Sequence, residues 1–142
     1  MKILIFGLPG SGKTTLSKSL CKVLNCIHFN ADEVREKYDD WDFSLEGRIR
    51  QANRMKYLSD GAVIAGKIVI ADFICPTEEA REKFNPDYSI WMNTIEKGEY
   101  EDTNKIFQKP KSPNFIVTEW SEDTHLKLAS EIDNFVEERK NV

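Results

Sequence analysis

The sequence predicts a three-layer α/β/α fold on a mostly parallel five-stranded sheet. Three observations carry that expectation. Short β-branched, apolar runs alternate with segments of helical period along the chain, the pattern of strand–crossover–strand units. The run Lys67–Ala71 is β-branched and apolar after its lysine, as a strand covered on both faces must be. The first apolar run, Lys2–Phe6, opens through a glycine-rich turn directly into a helix pattern. A length of 142 residues with 40% hydrophobic residues fits a single domain, 1–142, with a real core.

The elements follow in order. The first strand is Lys2–Phe6 and the first helix Lys13–Leu24, with Leu16, Leu20, Val23 and Leu24 apolar. A second strand, Cys26–Asn30, leads into a helix from Ala31 to Tyr38. Ser44 caps a long helix reaching Gly66, its apolar face read as Leu45, Ile49, Ala52, Met55, Leu58, Ala62 and Ala65. Strands are expected at Lys67–Ala71, Tyr88–Met92 and Phe115–Val117. A last helix, Glu122–Arg139, carries Leu126, Ala129, Ile132, Phe135 and Val136 on one side. Residues 93–114 are polar and without period; a stretch this long reads as a lid or binding loop, or else as a disordered segment.

The most specific signal is Gly7-Leu8-Pro9-Gly10-Ser11-Gly12-Lys13-Thr14, which is G-x-x-x-x-G-K-S/T between a strand and a helix. Gly7, Gly10 and Gly12 free the backbone so that successive N–H groups can converge on phosphate oxygens. A helix starting near Lys13 adds its positive end. Lys13 supplies a point charge for the β- and γ-phosphates, and Thr14 a hydroxyl for Mg²⁺. A glycine turn that merely packs would not explain Lys13-Thr14. Residues 7–15, through Thr15, are therefore read as the ATP site of a P-loop NTPase fold.

Twenty basic residues against 24 acidic ones give a net charge of −4, which argues against bulk nucleic-acid binding. Cys21, Cys26 and Cys75 are read as core thiols in a reducing, cytoplasmic interior. The apolar N-terminal run is too short for a secretory leader, and nothing approaches the ~20 apolar residues of a membrane span.

Ligands of an open α/β sheet bind beyond the carboxyl ends of its strands. Asp32 follows the second strand, where a carboxylate could take an acceptor proton or orient Mg²⁺; it also occupies a helix first turn, which favours acids anyway. Asp72 ends the third strand and competes with Asp32 for the metal. Arg35 lies one turn from Asp32, and its fork suits a phosphate or sulfate. Of the arginines on the long helix, Arg48 lies nearest the sheet's carboxyl edge; Arg50 and Arg54 share another row.

These residues resemble the adenylylsulfate (APS) kinase family, P-loop kinases that use MgATP to phosphorylate the 3′-hydroxyl of adenosine 5′-phosphosulfate in sulfate assimilation. Gly7 to Leu16 is similar to the family's G-L-S-G-A-G-K-T-T-L, and Asn30-Ala31-Asp32-Glu33-Val34-Arg35 to its D-G-D-N-V/I-R. Asp42-Phe43-Ser44-Leu45-Glu46-Gly47-Arg48 resembles G-F-S-x-E-D-R, and Ile74-Cys75-Pro76 stands at I-S-P-Y. The resemblance covers residues 1–81 and returns at Pro110 and Pro113. It implies a catalytic carboxylate at Asp32 and substrate contacts at Arg35, Phe43, Arg48 and Ile74, with Tyr100 as a second ring stacking on adenine. Departures are Gly47 for an acid, Gln51-Ala52-Asn53-Arg54 for N-I-R-R, and Thr77-Glu78 for Tyr-Arg. The basic lid motif R-D-P-K-G-L-Y has no counterpart; Lys97 and Lys105 are candidates for its charge.

The expected function is phosphoryl transfer from MgATP to a small nucleotide-like acceptor, with Lys13 and Asp32 catalytic. Another acceptor, such as a nucleoside, polynucleotide end or modified base, is the alternative. A nucleotide-binding regulatory protein without turnover is a third reading. A homodimer is one expected assembly.

Overall fold

The computed structural model describes residues 1–140; positions 141–142, the end of the predicted domain span, lie outside the described residues. The strands are β1 (Lys2–Phe6), β2 (Ile27–Asn30), β3 (Val69–Asp72), β4 (Tyr88–Met92) and β5 (Phe115–Val117). The helices are α1 (Lys13–Leu24), α2 (Ala31–Tyr38), α3 (Leu45–Ile64), α4 (Glu78–Phe84), α5 (Glu101–Ile106) and α6 (Thr124–Lys140). The sheet order is β2-β3-β1-β4-β5, and all four pairings are parallel. β1 and β3 are neighbours whose onward connections diverge, one to the β2 edge and the other to β4. A crevice opens where such connections part.

Side chains alternate across β1 and split the core in two. Ile3 and Ile5 pack with Leu16, Leu20, Leu128 and Ile132 of α1 and α6. Leu4 and Phe6 pack on the other face with Val34, Met55 and Phe84 of α2, α3 and α4. Burying these side chains contributes roughly 1.5–3 kcal/mol each. The three-layer expectation holds.

Three expectations are corrected. The buried row of α3 is Gly47, Gln51, Met55 and Ser59, whereas Leu45 and Ile49 are 76% and 50% exposed. Close approach selects that row. A Cβ on Gly47 would stand 2.0 Å from the Asp42 carbonyl oxygen, and Gln51 Nε2 donates to the Ala31 carbonyl at 2.8 Å. In α6, Leu128 is fully buried and Leu126 half exposed; Val23 of α1 is likewise 47% exposed. Finally, Cys21 and Cys26 form a disulfide rather than two thiols. Asn25 at φ 53° turns the chain back, which brings the two Cα atoms to 5.0 Å, within bridging reach. The thiol count therefore no longer supports a reducing compartment. Cys75 is free and buried.

The sequence reading also omitted two helices. Thr77 caps α4 by accepting from the Ala80 N–H at 3.1 Å, and α5 gives the 93–114 segment structure of its own. No helix among the described residues is long and apolar enough to cross a membrane.

Candidate active site

The loop after β1 is shaped by its glycines. Gly12 sits at φ 96° as the residue before α1, and no side chain caps that helix. The α1 first turn also lacks acidic residues. Its amides and positive helix end are thus left to a ligand, the arrangement that binds anions. Gly7 is required by contact, since a Cβ there would meet the Met92 carbonyl oxygen at 2.7 Å. A turn from the Ser11 N–H to the Leu8 carbonyl (3.1 Å) closes the loop. The Ser11 carbonyl accepts from Thr94 Oγ1 at 2.7 Å.

Lys13 folds back over this loop and donates from Nζ to the Leu8 carbonyl at 3.0 Å. Burial pulls its ammonium down to about 8, opposed by the attraction of Asp72 and then Asp32. Pro9 is half-buried and Gly10 and Thr15 are exposed at the loop's rim. The Ser11 hydroxyl is buried with no partner among the described residues.

The two competing carboxylates stand in different environments. Asp72 is 1% exposed and hydrogen-bonded. Its Oδ1 accepts from Thr14 Oγ1 at 3.4 Å and from Asn30 Nδ2 at 3.2 Å, and its Oδ2 accepts from His28 Nε2. Asn30 Nδ2 also donates to Thr14 Oγ1 at 2.9 Å. Asp32 is exposed in the first turn of α2, and Asn30 caps that turn by accepting from the Glu33 N–H at 3.0 Å. The Thr14 hydroxyl with the Asp72 carboxylate is an all-oxygen pair. That suits Mg²⁺, which takes one or two carboxylates and completes its shell with phosphate and water. Among the described residues no group of three or more His, Cys, Asp or Glu is placed to cage a metal.

The predicted acceptor-side residues divide into a joined group and two outliers. Arg35 is buried and donates from Nη1 to the carbonyls of Asp40 (2.8 Å) and Asp42 (3.1 Å). Its guanidinium lies 4.3 Å from the Phe43 ring centroid. Arg48 Nε donates to the Phe43 carbonyl at 2.9 Å, and its Nη2 to Thr103 Oγ1 of α5 at 3.0 Å. Arg50 and Arg54 are tied to Asp40, and Arg50 also to Asp42 at 2.9 Å. The loop 39–43 is thus held from two sides, with Phe43 half exposed. Tyr100 precedes α5 and is 55% exposed; it forms no ring pair with Phe43. Ile74 is half-buried just beyond β3, before Cys75 at φ 43°. Lys97 pairs with Glu101 at 3.5 Å, and Lys105 is exposed.

Sequence reasoning missed His28 and Trp120, and missed the side-chain role of Asn30. A Cβ on Gly12 would fall 1.8 Å from Trp120 Cζ2, so the indole rests on the phosphate loop. Beside it lies a cavity of about 400 Å³ lined by Thr15, Leu16, Ser19, Trp120, Glu122 and His125. The β2–β3 register brings His28 and Asn30 to Asp72, and the chain beyond β5 brings Trp120 to Gly12; neither His28 nor Trp120 belongs to a local motif.

A parallel β2-β3-β1-β4-β5 sheet, with G-x-x-x-x-G-K-T between β1 and an uncapped α1, defines a P-loop NTPase fold of the small-kinase type. The family model for adenylylsulphate kinase matches residues 1–112, and the chain belongs to that family. An adenylyl-sulfate kinase of Thermodesulfovibrio yellowstonii is 39% identical over 83 residues, 54% of this chain and 42% of that protein. A cytidine diphosphoramidate kinase of Campylobacter jejuni is 29% identical over 99 residues, 63% of this chain and 58% of that protein. This chain thus spans less than two thirds of either relative's length. The APS kinase of Mycobacterium tuberculosis, solved with AMPPNP and APS, shares the fold with a TM-score of 0.76 at 18% identity over 96% of each chain.

Proposed function

We propose that this chain transfers the γ-phosphoryl group of MgATP to a hydroxyl of a small nucleotide-like acceptor, with the 3′-hydroxyl of adenosine 5′-phosphosulfate the leading candidate. The observation that carries this reading is the convergence of Lys13, Thr14 and Asp72 at the uncapped start of α1. Loop amides from residues 7–15 would hold the phosphate chain, and Lys13 would leave the Leu8 carbonyl for a phosphate oxygen. Thr14 and Asp72 would hold Mg²⁺, whose charge offsets that of the transferring group. In the transfer the acceptor oxygen forms a bond to the γ-phosphorus as the bond to the bridging oxygen breaks and ADP leaves. Asp32, exposed and carrying no cap or packing duty, would take the acceptor proton. Phe43 and Tyr100 would stack on the acceptor base, with Arg35, Arg48 and Ile74 around it.

A specific observation favours a second reading, in which the same chemistry serves another acceptor. The Arg35 and Arg48 donors named above are directed to main-chain carbonyls and Thr103, not into an open anion site. One relative is a cytidine diphosphoramidate kinase. A coupled ADP-release assay over APS, nucleosides and DNA 5′-ends separates the two. APS-dependent release, abolished in Asp32→Asn, is the expected result; release with a different acceptor selects the second reading. MgATP binding with transfer to none overturns both.

A further inference from the structure

Nothing in the proposed transfer uses His28, yet its ring contacts Asp72, a carboxylate that is 1% exposed. A carboxylate as enclosed as Asp72 needs hydrogen-bond partners for both oxygens. Thr14 and His28 each take one of its oxygens, while Asn30 Nδ2 reaches both, at 3.2 Å from Oδ1 and 3.4 Å from Oδ2. Oδ1 is turned toward Thr14 Oγ1, the hydroxyl at the head of α1. Oδ2 is held by His28 Nε2, with Asn30 Nδ2 within 3.4 Å.

Strand register explains why a histidine occupies this place. β2 pairs with β3 so that Asn30 lies beside Asp72 and His28 beside Ile70. Residues two apart on a strand share a face, so His28 and Asn30 both stand on the side of Asp72. His28 starts one step further from the carboxylate and needs the reach of an imidazole. The His28 side chain is 15% exposed against 2% for Asp72, so the ring closes the carboxylate off on the sheet's edge strand.

We propose that His28 is a positioning residue for Asp72, holding Oδ2 so that Oδ1 stays presented to the Thr14 side, where a nucleotide-borne cation would be shared. The proposal rests on the phosphate-loop reading above. It separates His28 from a merely structural residue, because only metal-bearing nucleotide should depend on it.

The test is calorimetric titration of ADP with Mg²⁺ and of ADP with EDTA into wild type, His28→Leu, His28→Asn and His28→Gln. His28→Leu and His28→Asn should weaken MgADP binding by about 10–100-fold, with ADP in EDTA changed by no more than about twofold. His28→Gln, whose amide nitrogen reaches about as far as Nε2, should recover most of the loss. If His28→Leu does not fold, His28→Asn carries the comparison. Equal weakening of both ligands, unchanged MgADP affinity, or no recovery in His28→Gln overturns the positioning role. Wild type that binds ADP equally with and without Mg²⁺ overturns it while leaving the phosphate loop standing; wild type that binds neither overturns both.

Discussion

At the residue scale, Lys13 concentrates the site's electrostatics. Its ammonium is desolvated by the surrounding loop and drawn by two carboxylates, and its present partner is a carbonyl that a phosphate oxygen would outcompete. Lys13→Ala should lower kcat by about 10²–10³-fold, the loss of a preorganised charge-stabilising group worth about 3–4 kcal/mol. Steady-state rates at saturating MgATP measure it, and an unchanged kcat contradicts the assigned role. Cys75 offers a contrasting case. Burial pushes its thiol up to about 12, with Arg81 opposing only in part. It should resist iodoacetamide at pH 8 while the protein is folded and react on unfolding in urea. Rapid labelling of the native protein, followed by mass spectrometry, would show that the β3–α4 turn opens.

At the element scale, α5 is one tie between the 93–114 segment and the rest, beside Thr94 on the Ser11 carbonyl and the Gln108 carbonyl on Arg81. Thr103 is 3% exposed and receives Arg48, while Gly98 and Asn104 close the turn before the helix with two hydrogen bonds of 2.8 and 2.9 Å. Thr103→Val removes the hydroxyl that accepts from Arg48 Nη2, leaving that nitrogen the Asp102 carboxylate at 3.6 Å, and should cost about 1 kcal/mol. Limited proteolysis should then cut faster within 93–114 than in wild type; an unchanged cleavage rate would mean that Arg48 does not hold the helix. The sequence concealed α5 because its six residues carry no apolar period; packing and the Arg48 contact position it. α4 left a local signal in Thr77-Glu78-Glu79, a cap followed by first-turn acids, which a search for apolar faces passes over. The orientation of α3 was misread for a related reason. Its inward row includes a glycine placed by close approach, a glutamine placed by its hydrogen bond to Ala31, and a serine, none of which a search for hydrophobic residues finds. The phosphate loop, by contrast, was legible because every residue it needs lies within one short stretch. His28 was not, since its partner is set by the pairing of β2 with β3.

At the scale of the whole molecule, a charge lattice joins α2, the 39–43 loop and α3. Hydrogen bonds from Arg50 and then Arg54 hold the Asp40 carboxyl well below the usual range. Hydrogen bonds from Ser44 and then Arg50 bring Asp42 down to about 2. A carboxylate with a depressed folded pKa stabilises the protein above its unfolded value of about 3.9 and loses that contribution as pH falls toward the folded value. Stability should therefore decline as pH drops from about 4 to 2, and Asp40→Asn should flatten that decline while lowering stability at pH 7. Urea denaturation across this pH range measures both; an identical slope in the variant would show that Asp40 contributes nothing to it. A last consequence concerns the ring that lies on Gly12. Trp41 is on the 39–43 loop and Trp91 packs in the opposite core layer, which leaves Trp120 as the indole touching the phosphate loop. Anything that enters there alters the dielectric around that chromophore, so the protein carries its own unlabelled optical gauge of occupancy, and Trp120→Phe would silence it.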